Sequence, residues 1–174
     1  LRPPKRKGMR VQETWIPDTV PLLKPNKAKV VKSKSQRNLE DVVLSCLNIG
    51  LNHFETARFY GSSEVQFVDA LANLIKEGKI QRGDFIFQTK IAPKGGIKRE
   101  DFAKQWEASW SNVRMLGYVD LMSFHCVSND DQIDTVLNDA DDGIYNFALE
   151  LKREGKIKHI GFSTHGSAAN IMRM

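Results

Sequence analysis

The sequence predicts an α/β fold of the (β/α)8 barrel type, of which about four to five strand–helix units are present. Short apolar strands start near positions 52, 85, 119 and 157, and a segment with helical periodicity follows each of them. The starts lie about 33 to 38 residues apart, which is the length of one strand–helix unit. Such units build a parallel sheet, either doubly wound or closed into a barrel. No GxGxxG segment follows a strand, which weakens the doubly wound, dinucleotide-binding alternative.

The first half of this pattern starts at Asn38, which is predicted to cap a helix whose apolar residues recur three and four apart until Gly50. The strand Asn52–Thr56 follows. A second amphipathic helix starts near Ser63 and ends with Gly78 as the residue after its C-cap, because glycine adopts the left-handed conformation that such a position requires.

The second half repeats the unit with the strands Phe85–Ile91, Val119–His125 and Ile157–Ser163. Helices are predicted near Ile144–Glu154 and over Ser167–Met174. Between the first two of these strands lies a helix with an apolar stripe whose spacing is typical of core packing, formed by Phe102, Trp106, Trp110, Val113 and Leu116.

The domain organisation is asymmetric in charge. Residues 1–37 hold 11 Lys and Arg against two acidic residues, whereas residues 38–174 carry a net charge of −4. Five of the six prolines also lie in the first segment. We therefore predict a basic, proline-rich arm over 1–37, with short strands at Val11–Ile16 and Lys29–Lys32, and a folded domain over 38–174. The arm is interpreted as a solvated tail, a contact for an acidic partner or the remnant of an organelle-targeting segment.

Composition excludes several classes of protein. The chain has no run of about 18 apolar residues, so no transmembrane segment is expected. Two cysteines, Cys46 and Cys126, cannot form a dense disulfide framework, which favours a reducing intracellular compartment, either cytoplasm or the interior of a plastid or mitochondrion. No Cys/His cluster indicates a metal site. A nucleic-acid partner is not expected, since only the basic arm favours one.

Polar side chains fall where the predicted strands end. Glu55, Lys90, His125 and Ser163 each lie at the carboxyl end of a strand, and Tyr60 follows in a loop. The carboxyl ends of parallel strands in a barrel share one face, and active sites are built there. Lys90 interrupts an apolar strand and requires a carboxylate partner, for which Glu55 is the natural candidate. Taken alone, His125 reads equally well as a core imidazole and Tyr60 as a loop-packing residue.

Together these groups predict proton transfer. A phenol is a poor acid at neutral pH, and a nearby ammonium makes it a better one by stabilising the phenolate. A carboxylate holds the ammonium in place, and an imidazole orients a carbonyl oxygen. This set suits carbonyl reduction, in which the oxygen gains a proton while the carbon receives a hydride.

At these residues the sequence resembles the aldo-keto reductase superfamily. The family pattern is a Gly-x-Asn/Arg-His-x-Asp-Thr-Ala segment with a Tyr five residues after the Asp, followed by a Lys and a His at the ends of later strands. The matching segments read GLNHFETARFYGSSE at 50–64, FQTK at 87–90, DLMSFH at 120–125 and IGFST at 160–164.

The resemblance implies a (β/α)8 barrel that reduces carbonyl substrates with NADPH. By position, Tyr60 resembles the general acid, Lys90 the ammonium that activates it, and His125 the residue that orients the substrate. Glu55 occupies the position of the family's Asp. The cofactor-binding pair, Ser-Asn in the family, corresponds to Ser163 and Thr164.

The resemblance also predicts an incomplete barrel. The Gly-rich first strand of the family is not recognisable in residues 1–37, and the sequence stops after the fifth strand, whereas a full barrel needs about 250 residues. An open sheet edge predicts a protein partner or self-association, and weak NADPH binding by the chain alone. The alternative function is therefore a non-catalytic structural subunit, derived from this family, in a larger assembly.

Overall fold

The protein forms a parallel sheet covered by helices. The computed structural model describes residues 34–174, so the two predicted strands before residue 33 and most of the predicted arm lie outside the described residues. The sheet order is β1-β2-β3-β4, and every neighbouring pair is parallel. The strands are β1 His53–Glu55, β2 Ile86–Ile91, β3 Val119–Phe124 and β4 Ile157–Phe162.

Helices connect the strands and flank the sheet. Short 3₁₀ turns at Arg82–Asp84 and Arg114–Leu116 precede β2 and β3. None of the helices in residues 34–174 is long and apolar enough to cross a membrane. The helices are α1 Lys34–Asn48, α2 Ser63–Lys76, α3 Arg99–Val113, α4 Asp130–Leu137, α5 Ile144–Arg153 and α6 Ala168–Arg173.

Two helices depart from the sequence-based expectation. Helix α1 begins at Lys34, so the predicted cap at Asn38 is wrong. Residues with high helix propensity, such as Gln36 and Arg37, extend the helix on the amino-terminal side of Asn38. Helix α4 was not predicted. Its N-cap Asn129 accepts a hydrogen bond from the Gln132 N–H at 2.9 Å, and this capping pattern is visible in the sequence. The helix itself is too short to show a long apolar periodicity.

The predicted helix end at Gly78 is confirmed. Gly78 has a φ of 71°, and its N–H donates to the Ile75 carbonyl at 3.0 Å, while the Lys79 N–H donates to the Leu74 carbonyl at 3.0 Å. This is the hydrogen-bond pattern of a Schellman motif. The motif ends α2 abruptly and turns the chain towards β2.

The core lies between the sheet and the helices. The side chains of Phe87, Met122 and Phe124 on the strands are fully buried against this layer. On α3, Phe102 and Trp106 are also fully buried, so the interpretation of their stripe as core is confirmed. The packed helices therefore hold one face of each strand, and the strand ends are fixed relative to one another.

Arg82 stabilises the edge of the sheet at which the strands begin. Its guanidinium donates to the carbonyls of Leu116 at 3.0 Å and Tyr118 at 2.9 Å, and to the Asp120 carboxylate at 2.6 Å. The same carboxylate accepts the Phe87 N–H at 2.9 Å. These bonds fix β2 against β3 and thereby the register of their carboxyl ends.

Candidate active site at the carboxyl ends of the strands

The four strands bring the predicted polar residues to one edge of the sheet. Glu55 is the last residue of β1, and Lys90 is the penultimate residue of β2. His125 and Ser163 directly follow β3 and β4, so each of these two predicted strands is one residue shorter than expected. The ladder nevertheless continues, because the His125 N–H donates to the Ile91 carbonyl at 2.8 Å and the Ser163 N–H to the Phe124 carbonyl at 2.9 Å.

Lys90 and Glu55 form an ion pair, as the sequence predicts. The Lys90 ammonium donates to Glu55 Oε1. The Lys90 side chain is 3% exposed, whereas the Glu55 side chain is 51% exposed. The carboxylate therefore reaches a buried ammonium from the solvent side, and the charge of Lys90 is compensated where burial would otherwise penalise it.

Tyr60 stands beside this pair on the loop between β1 and α2. The Arg58 N–H donates to the Lys90 carbonyl at 3.0 Å, and the Tyr60 N–H donates to the Ala57 carbonyl at 3.0 Å, so the loop is a tight turn held against β2. The Lys90 ammonium lies 5.0 Å from the centroid of the half-exposed Tyr60 ring. The His125 ring meets the same ring edge-on, with 5.5 Å between centroids. Tyr60 thus contacts both groups that the sequence assigns to it.

His125 is held neutral. Partial burial is the largest cause, and the positive charge of Lys90 adds to it, so that the pKa of His125 falls from 6.5 to about 4. Glu55 opposes this shift and His165 contributes weakly to it. At neutral pH the imidazole therefore carries a single proton on one ring nitrogen and offers one N–H donor at the site.

We expect His125 to make the protein less stable in acid. Between pH 6.5 and about 4 an unfolded chain protonates this imidazole while the folded protein does not, so the free energy of unfolding falls as pH falls through that window. His125→Gln should remove this contribution. The measurement is urea unfolding of both proteins at about pH 7 and about pH 4.5. An equal pH dependence in the two proteins would show that His125 is not held neutral, since the other histidines are common to both.

Ser163 and Thr164 place two hydroxyl groups in the loop that follows β4. Ser163 Oγ accepts the Cys126 N–H at 3.0 Å, and Thr164 Oγ1 accepts the Gly166 N–H at 2.8 Å. Each hydroxyl retains its own proton for a further partner. The bond to Cys126 ties the loop after β4 to the loop after β3.

Two structural features close to the predicted site residues could not be read from the sequence. Cys126 is the only residue other than glycine with a positive φ, 63°, within residues 34–174, and it directly follows His125. Glu64 is 1% exposed and receives hydrogen bonds from two other elements. In the sequence it looks like an ordinary acidic residue of a helix first turn. Its position four residues after Tyr60 is the only sequence signal that connects Glu64 to the site.

Comparison with known proteins places this arrangement in a family. The model of the aldo/keto reductase family matches residues 25–174, which is most of the chain. The chain belongs to the aldo/keto reductase family. No curated protein matches it.

Solved structures of family members share the fold. An aldo/keto reductase from Brucella melitensis is 24% identical, with a TM-score of 0.52 over 79% of this chain and 48% of that one. The aldose reductase from Schistosoma japonicum is 21% identical, with a TM-score of 0.53 over 75% and 45%. An aldo-keto reductase complexed with NADPH is 21% identical, with a TM-score of 0.57 over 81% and 42%. The chain spans less than half the length of each, and the predicted barrel-type fold is confirmed for the part that it covers.

Proposed function

We propose that this aldo/keto reductase chain carries the catalytic part of an NADPH-dependent carbonyl reductase. The observation that carries the proposal is the position of Tyr60. Its ring lies near both the buried Lys90 ammonium and the neutral His125 imidazole, and Glu55 compensates the ammonium. This grouping of a phenol, an ammonium and an imidazole supports delivery of a proton to a carbonyl oxygen.

Tyr60 is the proposed acid. Its half-exposed side chain is open to a substrate, and its hydroxyl proton moves to the carbonyl oxygen as that oxygen gains negative charge. The phenolate left behind is stabilised by the Lys90 ammonium. Water screens the charge of this ammonium only weakly, because its side chain is buried. Glu55 keeps the ammonium in place between turnovers.

His125 is the proposed orienting group. With its pKa at about 4 it is neutral at physiological pH and donates one N–H to the carbonyl oxygen. A charged imidazolium beside Lys90 would add a second positive charge to the same small site. The lowered pKa thus removes repulsion and leaves Tyr60 as the sole source of the transferred proton.

The residues present fit a nicotinamide cofactor. The free hydroxyl protons of Ser163 and Thr164 suit the oxygen of the nicotinamide carboxamide, since each hydroxyl already accepts one backbone N–H and is thereby held in position. Bound NADPH would supply the hydride that reduces the carbonyl carbon. Thr164 in place of the family's Asn retains one hydrogen-bonding group.

The alternative interpretation, a non-catalytic subunit, is favoured by no contact within residues 34–174. Glu55 in place of the family's Asp would favour this alternative if the longer side chain failed to reach Lys90, but Glu55 Oε1 accepts a hydrogen bond from the Lys90 ammonium. A protein partner and self-association remain predictions.

The test uses the full-length protein and a panel of aldehydes and ketones. We expect NADPH oxidation, followed by absorbance, with one alcohol formed per NADPH consumed and identified by mass spectrometry. NADH serves as the matched control cofactor. NADPH binding without oxidation by any carbonyl compound would contradict the proposal and favour the non-catalytic alternative.

A further inference from the structure

We propose that Glu64 is a positioning residue, which fixes the Tyr60 loop beside Lys90 through its hydrogen bond to Thr89. The proposal rests on the proposed function, in which Tyr60 is the acid. It concerns the distance between Tyr60 and its two neighbours and gives Glu64 no contact with substrate or cofactor.

The carboxylate of Glu64 is buried and held by neutral donors. It is 1% exposed, and Oε1 accepts hydrogen bonds from Thr89 Oγ1 at 2.5 Å and from Ser109 Oγ, while Oε2 accepts from Asn112 Nδ2 at 3.0 Å. A buried carboxylate is costly unless donors surround it, and these three donors compensate it only in a specific geometry. The group is therefore better explained by the directional contacts it makes than by stability.

Those contacts join three elements around the Tyr60 loop. Glu64 is the second residue of α2, Thr89 lies on β2, and Ser109 belongs to α3. The amino-terminal end of α2 also offers its positive dipole end to the carboxylate. A carboxylate at this position thus anchors the start of α2 to the strand that carries Lys90.

Hydrogen bonds join the start of α2 to the Tyr60 turn. The Ser63 N–H donates to the Tyr60 carbonyl at 3.0 Å, and Thr56 Oγ1 donates to Ser63 Oγ at 2.8 Å, which closes the loop on itself. Where α2 begins relative to β2 therefore determines where the Tyr60 ring stands.

Thr89 links the Glu64 hydrogen bond to the position of Lys90. The two are consecutive in β2, and both are buried. Consecutive side chains of a strand point to opposite faces, so Glu64 holds Thr89 on one face while Lys90 meets Glu55 on the other. A misplacement of about 1 Å between reacting groups costs up to about a hundredfold in rate. A tether of this kind controls such a misplacement.

The test compares Thr89→Val with Ser109→Ala. The first substitution removes the donor on β2 and preserves the side-chain shape; the second removes a donor to the same Glu64 oxygen from α3 and leaves the link to β2. We expect Thr89→Val to lower kcat about tenfold or more, with KM for NADPH unchanged, because Ser163 and Thr164 lie in the loop after β4 and make no contact with Thr89 that the proposal uses. Ser109→Ala should change kcat by less than about twofold.

A second readout does not depend on activity. The Tyr60 and His125 rings lie 5.5 Å apart, and the chain has three tyrosines and four histidines, so the nuclear Overhauser effect between these two rings can be assigned with Tyr60→Phe. Thr89→Val should lose this signal, and Ser109→Ala should keep it. Glu64→Ala should behave like Thr89→Val, and Glu64→Gln, which retains an acceptor oxygen for Thr89, should restore both signal and kcat.

The outcomes separate the two proposals. An unchanged ring-to-ring signal in Thr89→Val and Glu64→Ala overturns the positioning role, whatever their stability. If Tyr60→Phe keeps its activity, the proposed function fails, and the ring-to-ring signal alone decides the role of Glu64. If Glu64→Ala does not fold, Thr89→Val and Glu64→Gln decide it in the same way. Equal losses in Thr89→Val and Ser109→Ala show a general structural effect and also overturn the proposal.

Discussion

Tyr60→Phe should lower kcat for carbonyl reduction by about 10² to 10⁴ while leaving the fold intact, because a positioned acid contributes a factor of this size. The phenylalanine ring keeps the contacts with Lys90 and His125 and loses only the transferable proton. KM for NADPH should remain close to that of the wild type, since the proposed cofactor contacts lie in the loop that follows β4. The measurement is steady-state NADPH oxidation by the full-length protein.

Tyr145→Phe is the matched control, since Tyr145 is also partly exposed but belongs to α5. It should retain wild-type kcat. A Tyr60→Phe protein that retains more than about a tenth of kcat would show that the proton comes from another group.

Breaking the pair between Lys90 and Glu55 should affect stability unequally. Glu55→Gln leaves a buried ammonium without its counter-charge, and we expect it to lower the free energy of unfolding by about 3 kcal/mol. Lys90→Met leaves a carboxylate that is half exposed and solvated, so its cost should stay below about 1 kcal/mol. Lys90→Met should nevertheless abolish carbonyl reduction, because the phenolate of Tyr60 loses its stabilising charge.

A double-mutant cycle in urea measures this asymmetry. In the Lys90→Met background, Glu55→Gln should lose most of its penalty, which gives a coupling free energy of about 2 kcal/mol. A coupling near zero would mean that the two side chains do not interact in solution. Lys158→Met is the matched control, because the half-exposed Lys158 pairs with Asp120 and should show no coupling to Glu55.

The strands and the long helices of the fold could be predicted because local rules decide them, whereas the short helix α4 was missed. Apolar periodicity marks the strands and long helices, and Gly78 ends α2 with the backbone that its position predicts. Local rules are weakest at element ends, where α1 begins before Asn38 and β3 ends before His125. There the difference in free energy between one more helical or strand residue and a turn is small, and packing decides it.

The sequence by itself also determined which residues reach the site. The order and parallel direction of the strands place Glu55, Lys90 and His125 at one edge, and an unpaired lysine in an apolar strand calls for a carboxylate. The roles of these residues, and of Tyr60, remain predictions that the experiments above address.

Only the tertiary structure decided the environment of each group. The half-exposed state of Glu55, the neutral state of His125 and the burial of Glu64 all depend on what packs against them. The partners of Glu64 lie 25, 45 and 48 residues away along the chain. Periodicity reports which face of an element is buried, whereas a pKa and a hydrogen-bond partner depend on distances across elements, and those distances exist only once the helices have packed on the sheet.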